Sequence, residues 1–232
     1  ADERCKMLIL CNPHNPGGRV WTMEELKEVA EICHENNIIV VSDEIHSDMA
    51  LGENRHLPFA KVSPEAESIS LTLMAPSKTF NIAGIVSSFA VIPNKEIRER
   101  YLAYLEPREL QQGTLFAFEA TRAAYDECDD WLREMLQYVE ENIHYVDQFL
   151  KEHVPAIVAM IPEASFLVWL DCRQLNLSQR ELVSLFVNKA GLALNDGSIF
   201  GSEGEGFMRL NVGTSRRVLE KALNNLKNAI GN

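Results

Sequence analysis

No apolar run in this 232-residue chain approaches the ~18 residues that a membrane helix needs, and no signal-peptide pattern opens it. A membrane partner is therefore not expected, and a cytoplasmic location is. Cysteine is scarce and scattered: Cys5, Cys11, Cys33, Cys128 and Cys172 are odd in number and never form a CxxC pair. That spacing argues against a disulfide framework or a zinc site, so a reducing compartment and no metal are expected. Positive charge is in deficit, with 22 Lys and Arg against 34 Asp and Glu and a net charge of −12. Such a balance favours solubility and disfavours nucleic acid as the main partner. GxGxxG is missing after the first apolar strand, which removes the phosphate turn of a nicotinamide dehydrogenase. An initiator Met is missing too. Ala1 to Arg4 leads directly into an apolar strand, so the chain reads as one that begins mid-domain.

What is present is an alternation of strand and helix. KMLILC (6–11) is a short continuous apolar run, the pattern of a strand buried on both faces. NPHNPGG follows, dense in turn formers. Thr22 then predicts a helix start, with Glu25 three residues on completing a capping box. Leu26, Val29, Ala30 and Cys33 keep helical spacing, and Asn36-Asn37 ends the helix. IIVVS (38–42) is a second buried-type strand, so the segment predicts a βαβ unit, a parallel sheet and an α/β fold. Residues 68–74 and 86–92 are further strand candidates.

From Lys95 to about Glu152 the pattern is mostly helical, with one long helix over about 127–153 that Pro155 closes. The remainder predicts a small α+β unit. It has strands near 157–160 and 165–170, a helix opened by Ser178 with Glu181 three residues on, and a Gly-rich segment over 191–206. A strand at 207–212 and a terminal helix from Thr214 or Ser215 complete it. The expected division is 1–150, a partial large domain with its linker helix, and 151–232, a small C-terminal domain.

Four residues could carry chemistry. Asn15 lies in CNPHNPGG after a buried strand, where α/β sheets place ligands, although an ordinary Asn-Pro-Gly turn reads the same way. Asp43 follows IIVVS; a carboxylate there needs a partner, either as a helix cap or against a cationic ring nitrogen. Lys78, in SLTLMAPSKTFNIAG, has Met74, Phe80 and Ile82 as neighbours, and burial would make a lysine lose its proton more readily and act as a nucleophile. Arg209 stands in the apolar strand of GFMRLNVG, either snorkelling at an edge or poised to grip a carboxylate with two donors.

The blocks CNPHNPGG, VVSDEIHSDM, APSKTFNIAG and GEGFMRLNVG, in this order and spacing, resemble the fold type I pyridoxal phosphate (PLP) enzymes of the aspartate aminotransferase superfamily. They are most similar to its cystathionine β-lyase branch, and the similarity runs from about residue 6 to the end. The resemblance implies that Lys78 forms the imine with the cofactor and later shuttles the Cα proton. Asp43 would keep the pyridine nitrogen protonated, and Asn15 would hydrogen-bond the phenolic oxygen. His46 stands where many relatives carry a tyrosine that shares that task, and Arg209 would grip the substrate α-carboxylate. The resemblance further implies an amino acid substrate and a homodimer.

Two departures bear on the cofactor phosphate. Val86 stands where many relatives have an arginine eight residues after the lysine, and Ala75 replaces a common serine, which leaves Ser77 as the hydroxyl candidate. The family's Gly-rich phosphate turn, its ring-stacking aromatic and a tyrosine that reaches across the dimer all precede the CNPHNPGG block. The chain thus resembles roughly the last three-fifths of a member, and weak or absent PLP binding by the chain alone is the expectation. The implied activity is C–S β-elimination on a sulfur amino acid such as cystathionine. Transamination and a non-catalytic, truncated relative are the alternatives.

Overall fold

Thr22 opens the first helix as its sequence suggests: its hydroxyl accepts from Glu25 N, and the Glu25 carboxylate accepts from Thr22 N. The computed structural model, which describes residues 2–231, runs this helix, α1, over Met23–Glu35, between strands β1 (Met7–Cys11) and β2 (Ile39–Asp43). The two strands pair in parallel with Cys11 beside Asp43, so the expected βαβ unit is present. Helix α2 (Pro64–Ile69), capped by Ser63, leads into β3 (Ser70–Met74), parallel to β2. A four-residue helix, α3 (Pro76–Thr79), precedes β4 (Phe89–Val91), which pairs antiparallel with β3. The sheet order is β1-β2-β3-β4. This is the mixed, mostly parallel α/β sheet that the sequence implies.

Period-two alternation sorts its faces. Leu10 and Val40 join Leu26, Ala30, Cys33, Phe59 and Ala66 in one buried cluster on the side of α1 and α2. Full burial of each large side chain there contributes about 1.5–3 kcal/mol. Met7 and Ile9 point to the opposite face and are 55% and 72% exposed. The expectation that β1 is buried on both faces is therefore wrong; a single layer of helices covers one side of this strand. Two strand limits also move. Ser68 and Ile69 close α2, because Ser63 and Pro64 start a helix too short to show periodicity. Residues 83–85 form a 3₁₀ turn and Val86 has φ +54°, which delays β4 to Phe89.

Helices α4 (Lys95–Leu105), α5 (Leu115–Glu127) and α6 (Asp129–His153) follow. The second sheet is antiparallel throughout, in the order β5-β6-β8-β7: β5 (Val158–Met160), β6 (Leu167–Asp171), β7 (Asn195–Asp196) and β8 (Phe207–Asn211). Between β6 and β7 lies α7 (Gln179–Ser184), with the expected Ser178–Glu181 capping box, and α8 (Arg216–Gly231) ends the fold. No helix among the described residues is long and apolar enough to cross a membrane.

Packing divides the chain into two compact units: residues up to 14 with 20–133, and 15–19 with those from 134 onward. The parting lies inside α6. Gly18 shows why 15–19 belong to the second unit. Its carbonyl accepts from Glu163 N and Ala164 N at 2.8 and 3.1 Å, and a Cβ at its φ of +71° would collide with Pro162. The second unit's buried set includes Ile143, Val146 and Leu150 of α6, Val168 and Leu170 of β6, and Leu219, Leu223 and Leu226 of α8.

Candidate active site

In the first unit the strands end together. Asp43 is the last residue of β2, and in the pleat it shares a face with Ile39 and Val41, away from the α1 core. Its Oδ1 accepts from Ile45 N at 3.3 Å. The side chain is half-buried and lines a cleft of about 640 Å³ together with Ile45, Met74, Ser87, Phe89 and Tyr101. It does not cap a helix.

The carboxylate that needs burial partners is its neighbour. Glu44 points the other way, 1% exposed. Its Oε1 accepts from Ser42 Oγ at 2.8 Å and Phe59 N at 2.9 Å, and its Oε2 lies 2.7 Å from His56 Nε2. Three partners satisfy a buried acid that would otherwise be costly. Asp43 stands out in the sequence and this pair does not, because Glu and His twelve residues apart carry no periodic signal. His46 is buried at the start of the 3₁₀ turn Ser47–Met49.

Leu73 of β3 lies beside Asp43, so the chain leaving β3 carries Ser77 and Lys78 from the same end of the sheet. Helical spacing in α3 buries Pro76 and Thr79 and turns the intervening residues outward. Ser77 is half-buried and Lys78 is exposed, with no hydrogen bond among the described residues. Burial, which would make Lys78 a better nucleophile, is therefore not found here. The apolar neighbours Met74, Phe80 and Ile82 are close in sequence but do not enclose its side chain in this chain. Val86, at the position where an arginine would meet a phosphate, is 83% exposed.

In the second unit Arg209 occupies the middle of β8, between Trp169 and Asn195, so it is not an edge arginine. Met208 and Leu210 are buried on one face, which leaves Arg209 on the other. One Nη donates to Asn15 Oδ1 at 2.6 Å and the other to Asn195 Oδ1 at 2.8 Å. Nε is buried with no hydrogen-bond partner, and the guanidinium carbon stands 4.8 Å from the Phe200 ring centroid. Burial pushes the Arg209 pKa down from its ordinary value. Two neutral amides orient this cation without neutralising it, which suits it to receive an anion.

Asn15 and Arg209, 194 residues apart, are thus brought together. Asn15 Nδ2 has no hydrogen bond among the described residues and remains a donor. Neither Asn195 nor Phe200 stands out in the sequence as a site residue. The Asn-Asp-Gly turn at 195–197 is the one signal that could have marked them, and there a Cβ on Gly197 would overlap the Gly204 carbonyl. No group of three His, Cys, Asp or Glu side chains able to hold a metal occurs among the described residues.

The sequence model of the aminotransferase class I and II family matches residues 1–226. The cystathionine beta-lyase PatB of Bacillus subtilis is 42% identical over 230 residues, which are 99% of this chain and 59% of that protein. Protein MalY of Escherichia coli is 36% identical over 231 residues, again 99% of this chain and 58% of MalY. Among solved structures, cystalysin of Treponema denticola, which contains a pyridoxal 5'-phosphate cofactor, superposes with a TM-score of 0.94. It is 33% identical, with 99% of this chain and 58% of that one covered. The chain spans under three-fifths of the length of each.

Proposed function

Because the chain belongs to the aminotransferase class I and II family, we propose that it serves a PLP-dependent C–S β-lyase acting on a sulfur amino acid such as cystathionine. The observation that carries this reading is the likeness of nearly the whole chain to a cystathionine beta-lyase at 42% identity. The protein is read as a cytoplasmic homodimer, with residues 1–150 as the partial large domain and 151–232 as the small domain.

The donor chemistry of each residue suits the ring end of the cofactor. Asp43 is half-buried at a strand end and makes one long hydrogen bond, so it can hold a proton on a pyridine nitrogen. Asn15 Nδ2 would donate to the phenolic oxygen, with His46 assisting, and Lys78 would supply the amine. At the phosphate end Ser77 is the candidate in this chain. When bound, PLP supplies an electron sink that makes the substrate Cα–H acidic.

Lys78 would take the proton from the substrate Cα. Its exposed stem leaves the amine free to reach Cα, and the positive charge it gains there is balanced by the thiolate that leaves from Cβ. Arg209 would bind the α-carboxylate through the donors that Asn15 and Asn195 leave unused, and so orient the Cα–H bond. The proton taken from Cα would pass to the thiolate, and hydrolysis of the released enamine by one water would give pyruvate and ammonia beside the thiol.

The test uses the whole gene product with PLP. Cystathionine is expected to yield pyruvate, and Lys78→Ala is expected to slow this by about 10²–10⁴-fold. Glutamate formed from an amino acid and 2-oxoglutarate, without pyruvate from cystathionine, would instead identify an aminotransferase. Neither product would identify a non-catalytic relative.

A further inference from the structure

Helix α3, which presents Lys78, has four residues and cannot fix its own orientation. Something outside it must. Lys78 itself makes no hydrogen bond among the described residues, but the next residue does. Thr79 is 1% exposed, and its Oγ1 donates to Asp48 Oδ2 at 3.1 Å. The same Asp48 oxygen accepts from the Tyr125 hydroxyl of α5 at 3.2 Å.

Asp48 lies in the 3₁₀ turn Ser47–Met49, which follows Asp43 and is pinned by the fully buried Met49. One carboxylate oxygen thus joins three segments: the turn after Asp43, the Lys78 helix and α5. Aromatic contacts close the junction. Phe80, the residue after Thr79, meets Tyr125 edge-on at 5.4 Å and stacks on Trp131 at 6.0 Å. Burial, then the Asp48 charge and hydrogen bond, keep the Tyr125 phenol protonated as the donor.

We propose that Asp48 is a positioning residue for Lys78, tethering the Lys78 helix through Thr79 to the turn that carries Asp43 and to α5. The amine and the carboxylate that would act on opposite parts of one cofactor are then held in a single frame. The inference rests on the proposed role of Lys78. It does not require Asp48 to touch the cofactor.

The experiment compares the whole gene product with Asp48→Ala, Asp48→Asn, Thr79→Val and Thr79→Ser. The first readout is hydrogen exchange at the Phe80 and Ile82 amides, which donate to Pro76 O and Ser77 O at 2.9 and 3.2 Å. Leu26, whose amide donates to Thr22 O at 3.0 Å in α1, is the internal control. The second readout is the rate at which PLP is trapped on Lys78 by borohydride reduction.

Asp48→Ala and Thr79→Val should exchange the Phe80 and Ile82 amides about tenfold faster with Leu26 unchanged, and trap PLP about tenfold more slowly. Asp48→Asn and Thr79→Ser, which keep an acceptor and a hydroxyl, should return both readouts towards wild type. Wild-type exchange at Phe80 and Ile82 in Thr79→Val overturns the tether. Loosened α3 with unchanged trapping overturns the positioning role. If Asp48→Ala does not fold, Thr79→Val and Thr79→Ser carry the same test. Absence of trapping on wild-type Lys78 would instead sink the PLP reading, and the exchange data would still decide whether Asp48 holds α3.

Discussion

Arg209 and Tyr125 are both ionisable groups shaped by burial, which works against the Arg209 charge and in favour of the Tyr125 proton. Arg209 keeps its charge beside two amides and an aromatic face, and Tyr125 keeps its proton beside a carboxylate. For Tyr125 burial comes first and the Asp48 charge and hydrogen bond follow, and together they raise the phenol above its ordinary value of 10.0. The sign follows directly. A raised folded pKa means that the unfolded chain releases this proton first, from about pH 10. The Tyr125 contribution to stability is therefore whole below that pH and is lost as pH rises through the higher folded value. Urea unfolding between about pH 9 and about pH 11 should show a steeper loss of stability in wild type than in Tyr125→Phe. Equal slopes would mean that Tyr125 ionises as freely in the fold as outside it.

Helix α6 is held by its faces and by one polar knot. Val139, Ile143, Val146 and Leu150 recur every three or four residues on its buried side, with Asn142 among them at 0% exposure. Asn142 Nδ2 donates to Val212 O at 3.0 Å and to Thr214 O at 2.9 Å, and Arg216 Nε donates to its Oδ1 at 2.8 Å. This amide fixes the turn that joins β8 to α8. Asn142→Leu would bury two carbonyls and a guanidinium nitrogen without partners, at a cost of about 1–3 kcal/mol. His144→Ala, on the exposed side, should stay within about 0.5 kcal/mol of wild type. Denaturant midpoints at unchanged slope would check both. The periodicity of α6 was legible from its apolar residues, but the role of Asn142 was not. A polar residue in a helix reads as surface until the chain returns seventy residues later with two open carbonyls.

At the scale of the whole chain, the first sheet leaves a face uncovered. Met7 and Ile9 are exposed on β1, and Leu115, Phe116 and Phe118 are 71%, 77% and 62% exposed around the start of α5. Exposed apolar groups of this size favour association, while a net charge of −12 opposes it. The chain by itself should therefore self-associate with rising concentration, more strongly at high salt, where repulsion is screened. Replacing Met7 and Ile9 by Thr should lower the weight-average mass seen in sedimentation. A concentration-independent mass at high salt would contradict this.

What the sequence determined by itself was local or ordered along the chain. The Thr22–Glu25 and Ser178–Glu181 caps, the βαβ unit, the long helix and the succession of Asn15, Asp43, Lys78 and Arg209 all depend on near neighbours or on spacing. Only the tertiary structure decided which of these residues meet and how deeply each is buried. It paired Arg209 with Asn15 and Asn195, buried Glu44 against His56 while leaving Asp43 facing a cleft, and placed Lys78 in solvent beside a tethered Thr79. The reason is physical. Periodicity records which side of an element avoids water, but a hydrogen bond between distant residues and the exposure of one side chain depend on what the rest of the chain brings alongside.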